Sequence, residues 1–186
     1  MTMPLNLSSN KDFVLYLKFN ARSGRFYVRY DGDNEDKELF TPLKMAMDFP
    51  SIKTGWIKFG QDGGPPIKRW DPSLSVVSKS PDPNDSAYKR GFQVNVYITN
   101  GVGLREFMST ADAVISPLIA MYEAWENRGK NEEVPFYQCE GCEEIKTKYG
   151  VSYSPVWVLE RWVPRNKVPG FDSVRAQNRV ITDIEE

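Results

Sequence analysis

The chain contains no histidine, which excludes imidazole-based catalytic triads and histidine-liganded metal sites. Cysteine is nearly as scarce. Only Cys139 and Cys142 occur, spaced C-E-G-C, so a closed tetrahedral zinc site would need its remaining ligands from carboxylates or a second chain. A redox CxxC needs a lowered thiol pKa, and Glu140, Glu143 and Glu144 around this pair work the other way. The spacing reads instead as a tight turn between two strands, with Gly141 as its flexible residue. No apolar run is long enough to span a bilayer, and the opening MTMPLNLSSNKDF lacks the charged start and apolar centre of a secretion signal. The expected compartment is therefore a cytoplasm. A strong charge of either sign is missing as well. With 24 Lys and Arg against 25 Asp and Glu the net charge is -1, so any polyanion-binding surface must be local.

Aromatic residues, at 13 % of the chain, are what the sequence has in their place. Residues 149–165, YGVSYSPVWVLERWVPR, interleave tyrosine and tryptophan with arginine on what reads as one strand and its exit. Such a mixture suits base stacking with phosphate neutralisation, or equally a β core. Period-2 alternation places Trp157 and Trp162 on opposite faces, with Trp157 as packing and Arg161, Trp162 and Arg165 as candidate contacts. Residues 13–19 also alternate, with Phe13, Leu15, Leu17 and Phe19 on one face. After a turn at Arg22, Ser23 and Gly24, Phe26, Val28 and Tyr30 continue the pattern, which predicts a hairpin. Its other face carries Tyr16, Lys18, Arg25, Tyr27 and Arg29, either a solvated surface or a stacking platform.

A weak strand is expected over 39–49 and a better one over 55–60, where Trp56 and Lys58 share a face. Residues 61–90 are rich in Gly, Pro, Ser and Asp and read as a long surface excursion carrying Lys68, Arg69 and Trp70. Phe92, Val94, Val96 and Ile98 mark another strand. Helical spacing follows through Val114, Ile115, Leu118, Ile119, Tyr122 and Trp125, and Pro117 either kinks that helix or opens a second segment capped by Ser116. A hairpin around the cysteines and a closing strand over 153–163 complete the order. The expected fold is mainly β, an OB-fold-like barrel with one helix between the third and fourth principal strands and long loop insertions. Residues 1–170 would form this domain and 171–186 a polar tail with an acidic end.

The segments MDFPSIKTGWIKF (47–59), YKRGFQVNVYI (88–98), REFMSTADAV (105–114) and YSPVWVLERWVPR (153–165) resemble stretches of bacteriophage single-stranded-DNA-binding proteins of OB-fold type. The resemblance implies sequence-independent coating of single strands during phage DNA replication or recombination, in the cytoplasm of an infected host cell and without a cofactor. It also implies an acidic C-terminus, here Asp183, Ile184, Glu185 and Glu186, that engages replication or recombination proteins. The residues expected to touch DNA are Tyr16, Lys18, Arg25, Tyr27, Arg29, Trp56, Lys58, Lys68, Arg69, Trp70, Arg161, Trp162 and Arg165. Two other classes compete. Glu144, Ile145 and Lys146 form an ExK triplet of the kind found in Mg²⁺-dependent nucleases, with Asp82 as a distant partner carboxylate. Aromatic strands on a near-neutral chain also suit a virion or protein-interaction module that binds no nucleic acid.

Overall fold

The computed structural model describes residues 15–61, 64–129 and 132–171; Phe13 and the acidic terminus Asp183–Glu186 lie outside them. Among the described residues, nine strands, one α-helix and a 3₁₀ turn follow in chain order. They are β1 (Tyr16–Asn20), β2 (Arg25–Val28), β3 (Lys37–Leu39), β4 (Leu43–Lys58), β5 (Ile67–Trp70), β6 (Lys89–Ile98), β7 (Gly103–Ser109), α1 (Asp112–Asn127), β8 (Glu133–Thr147) and β9 (Gly150–Pro164), then the turn Arg165–Lys167. The strands form one curled sheet in the order β3-β2-β1-β7-β6-β4-β8-β9, with β5 paired to β4. Every pairing is antiparallel except β1 with β7.

Five of these strands reproduce the OB-fold order. The long β4 pairs with both β6 and β8, β6 with β7, and β8 with β9, while α1 connects β7 to β8. The helix therefore lies between the third and fourth principal strands, as expected, but the principal strands are β4, β6, β7, β8 and β9. The β1–β2 hairpin is an addition, not the start of the barrel. It runs β1 parallel to β7, the position at which an OB-fold's last strand would close, and leaves a half-barrel. The gap is bridged at the hairpin turn, where Tyr153 N–H of β9 donates to Ala21 O at 2.7 Å and Cys142 Sγ of β8 to Gly24 O at 3.2 Å. Gly24 has φ +70°, which favours glycine, and a Cβ there would crowd the Tyr153 ring at 3.1 Å.

The barrel interior is filled by alternate residues of each strand, among them Leu17, Phe26, Met45, Met47, Val94, Val96 and Phe107, with Trp157 packed against Phe26, Phe107 and Tyr137. One face of α1 closes its end with Val114, Leu118, Met121 and Trp125. Pro117 lies inside this single helix. Lacking an N–H, it leaves the Ala113 carbonyl without its helical donor. Ser154 Oγ of β9 takes that place at 2.7 Å and ties helix to sheet.

Three local expectations are corrected. The strands expected at 39–49 and 55–60 are one strand, β4, interrupted by a register shift between Asp48 and Lys53. Cys139 and Cys142 lie within β8 across an irregularity at Gly141, and the hairpin turns at Lys148 and Tyr149. In β9, Phe136 pairs with Arg161 but Tyr137 with Leu159, so one residue, Glu160, is extra. That bulge resets the alternation, and Trp157 and Trp162 both pack against the barrel core. A second, smaller cluster covers the outer side of the sheet where Val168 and Phe171 fold onto Ala46, Val134 and Phe136, with Tyr97 and Leu104 beside them.

Candidate nucleic-acid interface

The side chains that do not enter the barrel form a continuous outer face across β2, β1, β7, β6, the second half of β4 and β5. Strand register fixes its membership. Lys18 stands opposite Tyr27, Asn20 opposite Arg25, Tyr16 beside Glu106, Asn95 beside Glu106, and Gln93 between Met108 and Lys53. Of the candidate residues, Tyr16, Lys18, Arg25, Tyr27, Arg29, Lys68 and Trp70 share this face. It is the outer surface of the second and third principal strands, β6 and β7, widened on one side by the hairpin and on the other by β5. In an OB-fold that surface, with the loops after the first and fourth principal strands, is where oligonucleotides bind.

Lys68 is the centre of the arrangement. Its Nζ donates to Gln93 Oε1 at 2.7 Å and Tyr16 Oη at 3.1 Å, lies 3.8 Å from Glu106 Oε2, and stands 5.1 and 5.9 Å from the ring centres of Tyr16 and Trp70. Gly55 makes this possible. A Cβ there would fall 2.3 Å from Arg69 O and 2.9 Å from Trp70 Cα, so only glycine lets β5 come close enough to deliver Lys68 to the middle of the face. Burial raises the pKa of Glu106, and Lys68 and Lys53 only partly offset it.

The cations at the hairpin end are already engaged. Lys18 and Arg29 reach the two oxygens of Asp36 at 2.6 and 3.0 Å, and Arg25 lies 3.6 Å from Glu38. Partial burial would raise the Asp36 pKa, but the hydrogen bonds and charges of Lys18 and Arg29 together hold it below the ordinary value.

The other candidates are elsewhere. Trp56 and Arg69 pair across β4 and β5 on the opposite side from Lys68 and Trp70. The Trp56 indole donates to Ser78 O at 2.8 Å and is covered by Arg90, whose guanidinium is bound by Asp71. Asp71 also accepts from Thr54 and Ser78, so this cluster fastens the long excursion to the sheet. The Arg90 and Ser78 hydrogen bonds hold the Asp71 carboxyl far below the ordinary range, against the effect of burial. Lys58 is paired with Asp85 at 2.5 Å beside Tyr88. Arg161 and Trp162 sit on β9, at the opposite end of the strand order from the hairpin, with Arg161 over Phe136 and Trp162 half-buried beneath Arg128. Arg165 is corrected outright: it is buried in a bidentate pair with Asp48, at 2.7 and 2.9 Å, and cannot present its charge to a phosphate.

Several residues of the face were not singled out by the sequence reading: Lys53, Gln93, Asn95 and Met108. Gln93 and Asn95 are polar positions alternating with the buried Phe92, Val94 and Val96, a signal present in the sequence. At the tip of the β8–β9 hairpin, in the position of the fourth-to-fifth strand loop, Tyr149 is 87 % exposed with Lys148 Nζ 4.9 Å from its ring centre. Further down the same hairpin, Ser152 Oγ and Tyr153 N–H donate to Ala21 O in the β1–β2 turn.

The remaining chemistry is sparse. Glu144 and Lys146 are exposed on the same tip, and among the described residues no three His, Cys, Asp or Glu side chains come together to hold a metal. Burial pushes the Cys139 thiol up to about 12 and raises that of Cys142. A cleft of ≈ 370 Å³ lies between α1 and the Leu74 segment, with Ile52, Phe92, Ile115 and Leu118 in its wall. Its one cation, Arg90, is committed to Asp71, so it suits an apolar group better than a phosphodiester. No helix is long and apolar enough to cross a membrane among the described residues. No protein-family model, curated protein or solved structure matches the chain.

Proposed function

We propose that the chain is a single-stranded-DNA-binding protein that coats strands without sequence preference, in phage DNA replication or recombination, and acts in the cytoplasm of the infected cell. One observation carries this reading: Tyr16, Tyr27 and Trp70 alternate with Lys18, Arg25, Arg29 and Lys68 on one outer face of a sheet in OB order. Rings spaced among cations are what a single strand needs, because each base can stack while its phosphate is neutralised, and neither contact reads sequence. The polar residues between them, Gln93 and Asn95, can donate to phosphate or sugar oxygens at any position along a strand. The role is binding rather than catalysis. Partners reached through the acidic terminus belong to the same proposal.

Titration with oligo(dT), followed by intrinsic tryptophan fluorescence at two salt concentrations, tests it. Quenching is expected, with affinity falling as salt rises, and Trp70→Ala or Tyr27→Ala should each weaken binding by about 1–3 kcal/mol. Salt-independent behaviour, or no change on adding oligonucleotide, would return the chain to the interaction-module class. Cleavage on adding Mg²⁺ would favour the nuclease class.

A further inference from the structure

We propose that Asp36 is an internal stand-in for a backbone phosphate, and that the Lys18–Arg29 pair it occupies is a phosphate subsite of the nucleic-acid face. This rests on the single-strand-binding reading and adds a defined site and its occupant in the free protein. Asp36 presents two oxygens to two cations, one on β1 and one just past the end of β2: Lys18 Nζ lies 2.6 Å from Oδ2 and Arg29 Nε 3.0 Å from Oδ1. The two non-bridging oxygens of a phosphodiester can accept the same two donors. The place is right for a nucleotide. Lys18 is directly opposite Tyr27, and Arg29 is two residues further along the same face, so a base attached to a phosphate bound here can lie on the Tyr27 ring.

Asp36 can leave. It precedes β3, whose ladder to β2 begins at Lys37 opposite Val28, so rotation of its side chain breaks no strand pairing. The neighbouring cations do not depend on Asp36, since Lys37 is paired with Asp33 and Arg25 with Glu38. Exposed ion pairs of this kind are weak, and a carboxylate is readily exchanged for a phosphate. A fixed carboxylate also changes the salt response. It cancels one unit of the positive charge that would otherwise neutralise phosphate, so fewer of the strand's condensed counterions are released and wild-type binding has a shallower salt dependence than the number of basic residues on the face implies.

The test compares wild type, Asp36→Asn and Asp33→Asn for oligo(dT) binding from 50 to 200 mM salt, with a thermal melt of each. Asp33 belongs to the same loop but contacts neither Lys18 nor Arg29, so its variant removes one charge without freeing the subsite. Asp36→Asn is expected to bind more tightly at low salt and to steepen the slope of log K against log salt by about 0.7, because removing the single carboxylate charge frees one unit of positive charge. Over a fourfold rise in salt that is a loss of roughly 2.6-fold more affinity than wild type. Asp33→Asn is expected to keep the wild-type slope. Equal slopes for all three, the same steepening in Asp33→Asn, or weaker binding by Asp36→Asn overturns the subsite while leaving single-strand binding in place. No binding by any of the three overturns both.

Discussion

Arg165→Ala is the substitution that separates the structure from the sequence most sharply. The arginine side chain is 5 % exposed and that of Asp48 0 %, and the guanidinium meets both carboxylate oxygens. Truncating one partner leaves a charge buried in a low-dielectric interior, a change that typically costs about 3–5 kcal/mol. In a domain of this size each kcal/mol moves the melting midpoint by about 2–4 °C. A fall of about 6–20 °C follows from combining these ranges. Arg165 also begins the segment that carries Val168 and Phe171 onto the outer side of the sheet, so the loss includes part of that smaller core. The measurement is a thermal melt by circular dichroism, beside an oligo(dT) titration well below the variant's midpoint. An arginine that served DNA would do the reverse, leaving the melt unchanged and lowering the salt slope by about 0.7. Asp48→Leu with Arg165→Met should recover much of the stability, because an apolar pair of similar volume removes both buried charges. A single variant that melts within about 2 °C of wild type would refute the reasoning, since such a small shift corresponds to at most about 1 kcal/mol.

Ser154→Ala should cost about 1–3 kcal/mol, read as a fall in melting midpoint, because it strips the one side-chain donor from the Ala113 carbonyl freed by Pro117. Gly55→Ala should displace β5, since the new methyl would meet backbone at 2.3 Å; weakened oligonucleotide binding with faster amide exchange at residues 67–70 is the expected result, and wild-type exchange there would count against it. Glu106→Gln should stabilise the protein at neutral pH. Burial raises the folded-state pKa of Glu106 above its ordinary value, so the charged form carries a cost above that folded pKa; the advantage of the glutamine should shrink as pH falls through it towards the ordinary carboxylate range, and a stability gap independent of pH would contradict this. The same variant should bind single strands more tightly at neutral pH, because it removes a carboxylate beside Lys68.

The hairpin was legible because its alternation is unbroken: Leu17, Phe26 and Val28 enter the core, and Tyr16, Lys18, Tyr27 and Arg29 remain outside. Errors arose where a local irregularity changed the count. The shift after Asp48 divides β4 into two apparent strands, and the extra Glu160 turns Trp162 towards the core. β7 escaped notice because one of its inward positions is Arg105, which breaks the apolar signal between Gly103 and Phe107. Arg165 looked like surface because its partner Asp48 is 117 residues away in sequence. In each case the deciding contact is made across the sheet, where no window along the chain can register it.

Net charge misleads for a related reason. The face carries Lys18, Arg25, Arg29 and Lys68, yet each lies within 4 Å of a carboxylate from a neighbouring strand or loop. Because Lys18 and Arg29 share Asp36, the four cations and their three carboxylates together add a single positive charge to the chain, and they exert little pull beyond a Debye length. The cations remain able to bind phosphate once a strand displaces the carboxylate. A chain of net charge -1 can therefore hold a polyanion at short range without attracting one at long range, and what composition cannot reveal is carried by which carboxylates the fold sets against which cations.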